Sequence, residues 1–258
     1  MNLNYKTFGQ GEPLLILHGM FGTLDNWQTV GKQLAEHFTV YLLDQRNHGR
    51  SPHHDEMNYA ALSEDLHYFM ESHWIFKAHI MGHSMGGKTA MQFALDHPDM
   101  TDKLIIVDIA PKRYAGGHES ILNAIMALDL SQLTQRQDAE NFLTAQLPQE
   151  PPSTVPFLMK NLSRNKDGAF EWKMNFRAIY NQYQEILENV KPTYHTHFEG
   201  DTLFLRGSRS AYILDEDQEA IASLFPQARL ETIANAGHWV HADQPEQLLQ
   251  AVRQFLKP

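Results

Sequence analysis

The sequence predicts an α/β domain: a mostly parallel sheet with helices on both faces, interrupted by a helical insertion from residue 112 to about residue 197. Three observations predict it. Short apolar runs alternate with amphipathic stretches through the first half of the chain. Strand character is then lost after Pro111, and it returns at "TLFLRG" (202–207). Strand, helix and strand repeated this way imply parallel strands joined by crossover helices.

The elements follow in order. "LLILHG" (14–19) reads as a buried strand and is followed by a helix near Trp27 to His37. "TVYLLD" (39–44) is a second strand, and a polar loop runs on to Asn58. Residues 59–73 carry apolar side chains at helical spacing. "AHIMG" (78–82) is a strand, "KTAMQFALDHP" a helix stopped at Pro98, and "KLIIVD" (103–108) a strand. The insertion contains no convincing strand, only helical stretches at 119–130, 136–147 and 175–189, separated by joints such as "LPQEPPSTVP". After "TLFLRG" come a helix near 215–224, the strand "ARLETI" (228–233) and a last helix from Pro245 to Leu256.

Composition excludes several functions. With 31 acidic against 21 basic residues the net charge is −10, so no basic surplus exists to neutralise nucleic acid or an anionic membrane. There is no cysteine, hence no disulfide, thiolate metal site or Cys nucleophile. "MNLNYKTFGQGEP" has no basic stretch before an apolar run, and no run approaches 18 apolar residues. The expectation is a cytoplasmic enzyme or binding protein without membrane insertion.

"GHSMG" (82–86) falls where a strand gives way to a helix, and matches G-x-S-x-G, the tight turn that exposes a serine hydroxyl above a sheet. Ser84 is the candidate nucleophile. A serine needs a neighbouring base. "NAGHWVHAD" (235–243) places His238 in the loop after the last strand, with His241 competing for the role. "LHGMFG" (17–22) ends the first buried strand in a glycine-flanked turn suited to presenting N–H groups. The Met20 and Met85 amides are the candidate oxyanion donors, with Phe21 the alternative to Met20.

"HGMFG", "DQRNHGRS" (44–51), "GHSMGG" and "AGHWVHAD" together resemble the α/β-hydrolase fold and, more narrowly, the small bacterial YbfF-type esterases. The resemblance implies a cofactor-free Ser-His-Asp carboxylester hydrolase acting on a small acyl ester or thioester, as a monomer or homodimer. It implies a core domain of residues 1–111 and 198–258, with residues 112–197 forming a helical cap inserted after the sixth strand. Most members of this fold keep the triad acid in the loop after the strand that follows the cap. Here that loop, "SRSAYI", has no carboxylate before Asp215. A forming imidazolium needs one. Asp108 ends the strand after the nucleophile's helix and can reach the site from there, so it is the expected acid, with Asp215 or Asp217 as alternatives.

Of the insertion's aromatics, Phe142, Phe157, Trp172, Phe176 and Tyr180 form mainly its own core. Trp172 and Phe176 are expected to face the acyl group, and Phe21 and Trp239 to complete the pocket wall. The "DQRNHGRS" loop reads as a hydrogen-bonded turn, with Arg46 and His48 available to an entrance. "PHHDE" and "YHTH" have no convergent third ligand, so no metal is expected. Ser84 disfavours chemistry that uses an aspartate nucleophile. A C–C bond hydrolase, a perhydrolase or a non-catalytic ligand-binding member remains compatible with the same residues.

Overall fold

The computed structural model describes every residue except Tyr194 and Pro258. Seven strands form the main sheet: β1 (Tyr5–Phe8), β2 (Glu12–Leu17), β3 (Phe38–Leu43), β4 (Ala78–His83), β5 (Thr101–Val107), β8 (Thr202–Gly207) and β9 (Ala228–Ile233). Their order is β1-β3-β2-β4-β5-β8-β9. All neighbours pair in parallel except β1, which runs antiparallel to β3 at one edge.

Alternation along the central strands splits the core in two. Leu15, Leu17, Ile80, Leu104 and Ile106 face α2 (Tyr59–Ser72) and α3 (Met85–Asp96). Leu14, Ile16, Met81, Ile105 and Val107 face the other way, toward α1 (Gln28–Leu34) and α11 (Pro245–Leu256). Helices on both faces leave the central strands buried throughout, which explains their unbroken apolar runs.

Between β5 and β8 lie α4 (Glu119–Ala127), α5 (Arg136–Gln146), α6 (Thr154–Met159), α7 (Phe176–Asn181), α8 (Tyr183–Leu187) and a hairpin, β6 (Leu162–Arg164) and β7 (Phe170–Trp172). The hairpin corrects the expectation of a strandless insertion. Its strands of three residues are too short to show a period, although Asp167-Gly168 at its turn, with Gly168 at φ +82°, is a hairpin signal. The helix expected over 175–189 is interrupted at Gln182, and the one over 119–130 ends at Ala127. The insertion follows the fifth strand from Tyr5, not the sixth, because a single antiparallel strand precedes the parallel run. α9 (Gln218–Leu224) and α10 (Val240–Asp243) complete the chain's helices around β9.

The insertion has a third apolar cluster. Ile125, Leu143, Leu158 and Ile179 gather there, and Phe21 and Met85 from the sheet's upper edge belong to the same cluster.

Candidate active site

The C-terminal ends of β4, β5 and β8 lie level, with His83 beside Val107 and Val107 beside Leu205. Pairing continues one residue further: Ser84 N–H donates to Val107 O (3.1 Å) and Asp108 N–H to Leu205 O (2.8 Å). Both residues then turn sharply, Ser84 at φ +52° and Asp108 at φ +53°. This is the left-handed region that side chains other than glycine avoid. The turn at Ser84 needs its flanking glycines: a Cβ on Gly82 would lie 2.1 Å from Gly86 O, and one on Gly86 2.5 Å from Leu17 O.

Three predicted residues meet above this edge. Ser84 Oγ–H donates to His238 Nε2 at 3.0 Å, and His238 Nδ1–H donates to Asp108 Oδ2 at 2.8 Å. Asp108 is fully buried and could not hold a charge there unpartnered. Gly207 N–H donates to its Oδ1 (2.9 Å), and Ser210 Oγ–H donates to its Oδ2. Ser210, in the loop after β8, thus supports the carboxylate from the neighbouring strand. The alternatives lie elsewhere: Asp215 pairs with Arg206 and Asp217 with Lys112. His241 does not compete either; its ring stacks on Trp27 at 4.4 Å.

Two side chains the sequence reading missed fix His238. Tyr212 stacks on its ring with centroids 3.7 Å apart and planes 16° from parallel. His83 Nε2–H donates to the His238 carbonyl at 2.8 Å. Burial holds His83 well below the usual histidine range and His241 down at about 4, so both stay neutral beside His238. Tyr212 carried no signal beyond its position in the loop after β8.

The turn "HGMFG" is closed by Gly22 N–H donating to Gly19 O at 3.0 Å. Phe21 N–H donates to His48 Nε2 (3.2 Å), which removes Phe21 as an oxyanion donor. The Met20 N–H has no acceptor among the described residues, and the Met85 N–H, first in α3, has none within its helix. Both residues border the same space as Ser84.

Arg46 and His48 are buried and line no entrance. Arg46 pairs with Asp65, and His48 donates from Nδ1 to Arg46 O while burial lowers it to about 3.

Ser84 stands between two spaces. One is a cavity of about 40 Å³ walled by Met20, Tyr59, Lys88, Tyr114 and Tyr183. The other is a groove of about 1270 Å³ bordered by Phe21, Phe157 and Trp239. Trp172 and Phe176 border neither, contrary to expectation, because both pack into the insertion's own cluster, with the Phe176 ring 6.5 Å from that of Phe21. Lys88, one helical turn beyond Ser84, is buried and donates to the Leu187 and Glu188 carbonyls, and burial lowers it to about 7.

Of the residues read for metals, His53 contacts Lys173 O and His54 Nδ1 accepts from Glu56 N–H; Tyr194 of "YHTH" lies outside the described residues. Among the described residues the grouping with metal-like spacing is Glu64, His67 and His97, whose ligand atoms lie within 4.8 Å of one another, apart from Ser84. No helix among the described residues is long and apolar enough to cross a membrane.

A serine on a strained strand-to-helix turn, with a histidine after the last strand above the carboxyl edge of a parallel sheet, defines a class: the hydrolases that carry a nucleophile elbow. The chain belongs to the α/β-hydrolase-fold family, which it matches over residues 12–245. It is 37% identical to the esterase YbfF of Escherichia coli, over 95% of this chain and 92% of that one. It is 36% identical to the sn-1-specific diacylglycerol lipase ABHD11 of Danio rerio, over 100% of this chain and 83% of that one. A solved marine microorganism esterase superposes with a TM-score of 0.95 at 41% identity, covering 98% of this chain and 99% of its own.

Proposed function

We propose that this hydrolase cleaves carboxylic esters, and thioesters by the same chemistry, with small acyl groups and through an acyl-enzyme. The observation that carries the reading is the hydrogen-bonded line Ser84–His238–Asp108, with the two N–H groups of Met20 and Met85 free beside it. Similarity to esterases and to a diacylglycerol lipase supports the ester class.

Each step uses a group already in place. Ser84 Oγ attacks the acyl carbon while its proton passes to His238 Nε2. The carbonyl oxygen becomes an oxyanion held by the Met20 and Met85 N–H groups, which need no reorganisation to receive it. Asp108 keeps the proton on His238 Nδ1 and stabilises the imidazolium. His238 returns the proton to the departing alcohol or thiol, and a water then repeats the sequence on the acyl-serine. No cofactor enters. The cavity of about 40 Å³ suits a short acyl group, and the groove suits the leaving group. Residues 112–197 act as the cap over both.

A fluorophosphonate probe and a panel of p-nitrophenyl esters and acyl-thioesters test the reading. The wild-type protein should be labelled and should turn over acyl chains of a few carbons fastest, and Ser84→Ala should lose both labelling and turnover while remaining folded. An unlabelled wild type would identify a ligand-binding member of the fold. Labelling without turnover of any ester or thioester would move the reaction to another acyl-like bond.

A further inference from the structure

Phe21 is the third residue of the turn closed by Gly22 N–H and Gly19 O, and its φ is +62°. A turn of this kind ordinarily places glycine or asparagine there. A phenylalanine persists in that conformation only if its surroundings hold it. Two partners do so. On one side Phe21 N–H is held by His48 Nε2. On the other, Phe21 O accepts from the buried side chain of Asn161 Nδ2 at 2.7 Å, and Asn161 lies in the insertion, between α6 and β6. The His48 side is tied to the insertion as well. Asn175 N–H donates to Asn47 O (2.8 Å) and Asn175 Nδ2 to Asn47 Oδ1 (3.2 Å), fixing the residue next to His48, itself at φ +65°. Finally, the side chains of Phe21 and Met85 both sit in the insertion's apolar cluster.

We infer that Asn161 and Asn175 are positioning residues for the oxyanion hole, so that the insertion sets the aim of the Met20 N–H as well as walling the pocket. The inference rests on the ester-hydrolase reading above. The two peptide planes after Met20 are the ones these contacts fix: His48 holds the plane carrying Phe21 N–H, and Asn161 the plane carrying Phe21 O. Releasing either lets the turn relax away from Phe21's strained conformation, and the Met20 N–H swings with it. Such a donor matters most when the oxygen is fully anionic, so the loss falls on the transition state more than on ester binding.

The test compares Asn161→Ala and Asn175→Asp with wild type on a short p-nitrophenyl ester, all rates normalised to fluorophosphonate-titrated sites. Asn175→Asp keeps the side-chain oxygen that caps α7 and removes the donor to Asn47, so it serves if Asn161→Ala does not fold. The expected result is a kcat at least about tenfold lower with KM within twofold, since full loss of one oxyanion donor costs roughly 10²–10³-fold. Affinity for a boronic acid, whose serine adduct places an oxygen in the hole, should fall by a similar factor. A normalised kcat within twofold of wild type, or a loss confined to the folded fraction, overturns the inference. Failure of wild type to label or turn over would instead sink the ester-hydrolase reading itself.

Discussion

The sheet and the segment inserted into it hold their side chains by different means. In the sheet, position is set by backbone register: Ser84 and Asp108 each continue a strand by one hydrogen bond and then turn, so neighbouring strands aim them. In the insertion the elements are short, and position comes from side-chain hydrogen bonds such as Asn161 to Phe21 O and from apolar packing. A sheet-edge residue therefore tolerates no shift without moving its neighbour, whereas the insertion can vary its packing while its few polar ties persist. Ser84 and Asp108 stand on the first, and Tyr114 and Phe157, which border the two spaces beside Ser84, belong to the second.

The largest effect should come from the sheet edge. Asp108→Asn should lower kcat by roughly 10²–10⁴-fold with the fold retained, because the imidazole loses both its tautomer control and its counter-charge. Asp215→Asn and Asp217→Asn should leave kcat nearly unchanged, and a collapse in either would move the acid to the β8 loop. Adding Ser210→Asp to Asp108→Asn sharpens the comparison further. Ser210 already reaches the Asp108 carboxylate, so partial recovery of activity is expected. No recovery would mean that register, and not proximity, aims the acid.

Unlike the Asn161 and Asn175 variants, which act on kcat, variants of insertion residues that border the two spaces should act more weakly and on selectivity. Phe157→Ala, which removes the ring stacked 4.9 Å from that of Trp239, should change the preference among leaving groups by about tenfold or less. Tyr114→Ala should move the acyl-length optimum upward by enlarging the small cavity. Trp172→Ala, which removes a half-buried ring packed against the insertion's apolar cluster, should lower the thermal midpoint and leave selectivity alone. A shift in acyl preference from Trp172→Ala, with none from Tyr114→Ala, would reassign the pocket.

The smallest effect is on pH-dependent stability. Burial lowers His18, His118 and His241 to about 4 and His48 to about 3. Unfolding frees them to take up protons near pH 6.5. Their contribution is therefore complete above pH 6.5 and is lost as pH falls toward 4, at about 1.4 kcal/mol per pH unit for each proton taken up. His241→Gln should reduce the slope of unfolding free energy against pH in that window by about one proton. An unchanged slope would mean that His241 is charged in the folded protein.

The same contrast explains what was legible in the sequence. Ser84 and His238 could be read because a glycine-bounded turn and a strand-following loop are local patterns. Asp108 could be read because the loop after β8 offers Ser210 where a carboxylate is usual. The partners Tyr212, His83 and Asn161 were not legible, since each acts on a residue distant in sequence and has no local signature. β1 escaped because an exposed antiparallel edge strand of four residues has too little apolar alternation. Trp172 and Phe176 were misplaced because aromatic content does not reveal which side of a small helical layer faces a cavity and which faces inward.

The left-handed geometry at Phe21, Ser84 and Asp108 bears on how the protein could be stabilised. Each side chain in that conformation costs about 1–3 kcal/mol, and glycine at any of the three would relieve most of it. Glycine would also remove what each side chain holds there: the buried ring of Phe21, the hydroxyl that Ser84 offers His238, and the carboxylate that meets Gly207, Ser210 and His238. Engineering for a relaxed backbone should therefore pass over these three positions and begin at Trp74, which is exposed and has the same kind of backbone at φ +56°.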